Sequence, residues 1–149
     1  MDHDALRQTY QQLNERACVY EKALLSGLCN CRLAERFNLA EREGIHCHLD
    51  SAQQRCERLL ELLRERARFA LKLTHEHDIL LHSKAMRLQI GGLRGLYRVI
   101  ENAPEIPILI GDVNHLVEQA EERYNGLENL PFQELIKEIA AYKGRQRLR

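Results

Sequence analysis

Apolar residues along this chain return at the spacing of an α-helix. Leu6, Tyr10, Leu13, Ala17, Tyr20 and Leu24 alternate steps of four and three, which draws one stripe on a first helix. Asp4 suits its N-cap, and Ser26 followed by Gly27 suits its stop. Leu33, Ala34, Phe37 and Ala40 predict a shorter second helix that ends near Gly44. A long third helix starts at Asp50 and Ser51, with Ser51 and Gln54 at capping-box spacing, and turns Cys56, Leu59, Leu60, Leu63, Ala67 and Ala70 inward.

The same period continues through a fourth helix from about Asp78 to Glu101, with Met86, Ile90, Leu93, Tyr97 and Ile100 on one face. Pro104 and Pro107 break it, because each ring disfavours helix in the residue before it. Leu109, Val113, Leu116, Val117, Ala120 and Tyr124 mark a fifth helix closed by Asn125 and Gly126, and Pro131 opens a sixth lined by Phe132, Leu135, Ile136 and Ile139. No segment alternates convincingly as a strand would. The expectation is an all-α, single-domain irregular helical bundle of about six helices over residues 1–142, with a basic C-terminal tail at 143–149.

Composition agrees with a globular domain: 149 residues, 44% apolar and 30% charged, enough to bury a core and too apolar for disorder. No apolar run approaches the roughly 20 residues that cross a bilayer. The opening MDHDALRQTYQQL is acidic and polar, unlike a secretory signal, so a cytoplasmic protein with no membrane contact is expected. Twenty-two basic and twenty-two acidic residues cancel, but unevenly. Residues 51–100 hold ten basic and five acidic groups, 101–142 hold two and nine, and the tail adds four basic groups. Such segregation implies internal charge pairing or a protein partner. Nucleic acid is a weaker expectation, because Glu57, Glu61 and Glu65 interleave with Arg55, Arg58, Arg64 and Arg68 and no aromatic residues are set aside for stacking.

Chemistry enters with the cysteines. Five is an odd number, and a reducing compartment disfavours a disulfide framework. Cys29, Cys31, Cys47 and Cys56 supply the four thiolates that complete a zinc site or ligate an iron–sulfur cluster, with His48 or His46 as substitutes. Cys18 lies beside the first helix's stripe and is left out of that set. An obstacle is reach. If residues 31–43 form a straight helix, a rise of about 1.5 Å per residue holds its ends about 18 Å apart. One shared centre therefore requires the backbone between Phe37 and Gly44 to bend sharply. The competing reading makes each cysteine a small buried residue of the core, Cys56 above all.

Other features say less. On a helix His75, Asp78 and His82 would share one face that could hold a metal, but Thr74 and the acidic residues suit a helix start better. Glu43 and His46 have the spacing of one di-iron unit, but Gly44 interrupts them and a second unit is missing. Gly91, Gly92 and Gly95 follow no phosphate-binding pattern and suggest close approach of another helix. No catalytic constellation stands out. The sequence thus predicts a non-enzymatic helical protein with a cysteine-ligated metal centre, iron–sulfur before zinc, in electron transfer, redox sensing or cluster handling. The alternative is a metal-free helical adaptor with structural cysteines, docking a protein partner through its charged surfaces.

Overall fold

A computed structural model describes residues 15–73 and 80–143. Residues 1–14 of the expected first helix, the segment from Thr74 to Asp78 and most of the basic tail lie outside the described residues. Helix α1 covers only Glu21–Leu25, and residues 15–20 before it form turns and a single β-bridge. Strands β1 (Ala34–Leu39) and β2 (Arg42–Cys47) follow, and then the long helix α2 (Asp50–Arg66). Helix α3 (His82–Met86) runs through a π-helical turn at Arg87–Gly91 into α4 (Gly92–Glu101). Helix α5 (Val113–Arg123), a short 3₁₀ turn at Leu127–Asn129 and α6 (Phe132–Ala141) complete the chain.

The molecule is a mostly helical bundle that also carries a small antiparallel β-hairpin, so the all-α expectation is corrected at residues 34–47. Its strands pair in register from Ala34 opposite Cys47 to Leu39 opposite Arg42. The two residues left between them, Ala40 and Glu41, have φ of 48° and 71°. Positive φ at both positions is the backbone of a type I′ turn, whose twist matches that of the strands it joins. Helical spacing at 33, 34 and 37 lost to tertiary pairing. The outer edge of β2 takes a third segment, with the Cys18 N–H donating to the Ile45 carbonyl at 2.9 Å and the Cys47 N–H to Arg16 at 2.8 Å. A helix at 33–43 would leave those backbone groups without each other.

One continuous core unites the rest. Tyr20, Leu24, Ile45, Leu59, Leu63, Leu93, Leu96, Val113, Val117, Leu135 and Ile139 belong to it. Gly91 of the π-turn and Gly95 of α4 sit against α6, and Gly92 against Leu63 of α2. A Cβ on Gly91 would stand 2.7 Å from the Ile139 Cα, and one on Gly95 2.9 Å from the Leu135 Cα. Only bare backbone fits there. Helix α5 ends as a glycine-assisted cap, with the Gly126 N–H donating to Glu121 and Asn125 to Glu122, and Asn125 left-handed at φ 56°.

Part of the segregated charge pairs inside the molecule. Arg55 of α2 pairs with Glu121 at 3.2 Å and Glu118 at 3.7 Å, and Arg58 with Glu128 at 3.3 Å. Arg98 pairs with Glu138. No described helix is long and apolar enough to cross a membrane.

Candidate functional site: a pocket lined by four thiols

The hairpin does what a straight helix could not. It folds Cys47 back beside Ala34, three residues beyond Cys31, and the His48 N–H donates to the Leu33 carbonyl to extend the pairing. The bridge on the other edge of β2 lays Cys18 against the same strand, since Ala17 pairs with His46. Cys56 enters from α2, one and a half turns past its start. The segment at 28–30 is fixed by Ile110, with the Asn30 N–H donating to the Ile110 carbonyl at 2.8 Å and Ile110 to Leu28 at 3.1 Å. That contact brings the first residues of α5 over Cys31.

Four of the five cysteines line one small pocket: Cys18, Cys31, Cys47 and Cys56. Val19, Tyr20, Leu24, Leu33, Ala34, Ala52, Val113 and Asn114 are among the residues that complete its walls. The cavity measures about 20 Å³, room for a single water-sized body. Strand parity explains which side chains face it. Ile45 and Cys47 share one face of β2, and Ile45 is fully buried. His46 takes the other face, opposite Glu35 in the register. His48 is exposed and pairs with Glu35 at 3.1 Å, its ring edge-on to that of His46. Neither histidine lines the pocket.

Sequence reasoning thus placed Cys31, Cys47 and Cys56 in a candidate set that also held Cys29 and His48, and the pocket takes Cys18 in place of those two. Cys29 is 1% exposed and stands behind, near enough that Cys18 and Cys31 both act on it electrostatically. Helical spacing at Ala17, Tyr20 and Leu24 hides Cys18, because residues 15–20 form turns and a bridge instead.

Electrostatics reports the same gathering. Burial pushes the Cys18 and Cys56 thiols up to about 12, with the neighbouring Cys31 and Cys47 adding to the rise in both. Burial likewise raises Cys31, and it pushes Cys29 up to about 12. The backbone amides at Tyr20, beside Cys18, and at Leu33 and Asn114, beside Cys31, act in the opposite sense on those two thiols. The Cys47 thiol donates to the Leu49 carbonyl at 3.4 Å.

Two polar groups in the walls lack partners. The Tyr20 hydroxyl is buried with no hydrogen-bond partner, and Asn114, 2% exposed, has none for its Oδ1 although its amide nitrogen donates to Glu118. A tetrahedral zinc site places sulfurs about 2.3 Å from the ion. Among the described residues no group of three or more His, Cys, Asp or Glu side chains is gathered tightly enough to hold an ion as it stands. All five thiols are free of disulfides. No protein-family model, curated protein or solved structure matches the chain.

Proposed function

We propose that this protein binds a thiophilic metal centre through Cys18, Cys31, Cys47 and Cys56, and works by holding that centre in a shielded helical scaffold. One observation carries the reading: four thiols from four separate segments line one pocket. A cavity of about 20 Å³ leaves room for one ion, and among the described residues no group of three or more ligands stands ready to hold it. The all-thiolate donor set suits zinc or an iron–sulfur cluster.

The test is purification without oxygen, followed by iron, sulfide and zinc analysis and a visible spectrum. Stoichiometric iron with sulfide identifies a cluster, and stoichiometric zinc a mononuclear site. Single Cys→Ser changes at Cys18, Cys31, Cys47 and Cys56 should each cut metal content severalfold, and Cys29→Ala should leave it intact.

A metal-free adaptor is the second reading. It is favoured by the absence, among the described residues, of a preassembled ligand group. The ion pairs from α2 to α5 and to the 3₁₀ turn after it weaken it, since they occupy part of the charge that a partner would read. Protein that is colourless, holds no metal and melts at the same midpoint with and without chelator would establish the adaptor reading and end the first.

A further inference from the structure

A second cleft opens where the segment after α1, the start of α3 and the end of α6 converge. It measures about 330 Å³ and shares no lining residue with the pocket of four thiols. That volume stands at the lower end for small-molecule sites, which begin near ~300 Å³. Leu28, Met86 and Tyr142 give it apolar walls, each of them half-buried and packed against the core. Arg87 and Lys143 line it as well, and among the described residues no carboxylate does. Exposed His82 and Ser83 add hydrogen-bonding groups at its rim.

Arg87 is held in place by the end of α6. Its Nε donates to the Ile139 carbonyl at 3.4 Å and its Nη2 to the Ala140 carbonyl at 3.2 Å. These bonds fix the guanidinium, but both acceptors are neutral, so no ion cancels its charge. Arg32, Arg36, Arg55, Arg58 and Arg98 each pair with a carboxylate. Among the described residues Arg87 and Lys143 pair with none. Arg87 also opens the π-helical turn at Arg87–Gly91. Such turns interrupt a helix with an extra residue and are frequent at functional sites. Capping α6 would explain the arginine alone. It leaves unexplained a second cation and an apolar surface in the same cleft.

We propose that this cleft binds a small organic acid, with its carboxylate held by Arg87 and Lys143 and its apolar body laid against Leu28, Met86 and Tyr142. Two cations by themselves would attract any anion, and an apolar cleft by itself any oily molecule. Together they select a ligand that carries both features. Its carboxylate accepts from a guanidinium already fixed, in a charge-assisted bond stronger than the neutral kind. The binding is independent of whether the thiol pocket takes a metal.

Met1 and Met86 are the chain's two methionines, so labelling methionine methyl groups with carbon-13 puts one reporter in the cleft. Met86→Leu identifies its signal. The labelled protein is titrated with octanoate, and with octan-1-ol and octylammonium as chains of equal length. The Met86 signal should move saturably with octanoate, half-way at about 0.1–1 mM for a ligand of about ten non-hydrogen atoms. Octan-1-ol and octylammonium should bind at least about 10-fold more weakly. Arg87→Gln and Lys143→Glu should each weaken octanoate about 5- to 20-fold. Because Arg87 also caps α6, Lys143→Glu, at an exposed side chain, carries the test if the arginine variant does not fold. A Met86 signal unmoved by octanoate would overturn the proposal. So would equal responses to all three chains, which mark apolar contact alone. An octanoate affinity that survives Lys143→Glu unchanged would overturn it too.

Discussion

A buried thiol is an acid held back from titrating, and three of them make a pH-dependent term in folding. Burial pushes Cys18, Cys29 and Cys56 up to about 12 from an ordinary value near 9. Above pH 9 the unfolded chain gives up these protons while the folded metal-free chain keeps them, so stability falls as pH rises towards 12. Below 9 both states are protonated and the contribution is complete. Urea unfolding of the metal-free protein should show a lower midpoint at pH 10 than at pH 7.5. Cys29→Ala should flatten part of that slope, because Cys29 is buried outside the four-thiol pocket. A slope unchanged by that substitution would remove Cys29 from the account.

At the scale of elements, the seam between α4 and α6 depends on absent side chains. Gly91→Ala and Gly95→Ala each drive a methyl group into facing backbone, which cannot rotate away as a side chain can. Each should cost about 1–3 kcal/mol in a denaturant titration. Gly111→Ala is the control, since a Cβ there meets nothing within 4 Å and it should stay within about 0.5 kcal/mol of wild type. This seam was legible beforehand, because three glycines inside a helical pattern need a reason, and so were α2, α5 and α6 with their long apolar stripes. The hairpin was not. Its turn residues, Ala40 and Glu41, are poor formers of positive φ, so the usual Asn–Gly signal is missing. Its alternation, Phe37 with Leu39 and Ile45 with Cys47, is too brief to outweigh helical spacing at 33, 34 and 37.

For the whole molecule, the pocket joins parts of the chain that lie apart in sequence. Cys18, Cys31, Cys47 and Cys56 stand 13, 16 and 9 residues apart in succession, by subtraction of their numbers. A bound ion would close those loops and add its affinity to folding, about 4 kcal/mol when free metal stands at a thousand times its dissociation constant. Stripping metal with chelator should therefore lower the thermal midpoint without abolishing the fold, since Leu93, Leu96, Leu135 and Ile139 hold a core away from the pocket. Equal midpoints with and without chelator would argue against any bound metal. Three of the four pocket cysteines were within reach of sequence reasoning, and the fourth was not. Cys18 owes its place to a backbone bridge from Ala17 to His46, a contact between segments 29 residues apart that local spacing does not encode.

The hairpin imposes an odd-and-even rule on the site. Cys47 faces the pocket and His46 faces away only because successive strand residues take opposite sides. A single residue inserted between Arg42 and Ile45 would exchange the two, offering an imidazole inward and a sulfur to water, whereas an insertion of two would restore the original choice. The identity of the side chain facing the pocket at this position is therefore a matter of counting, and length changes in that strand can recast the pocket's chemistry with every cysteine still in place.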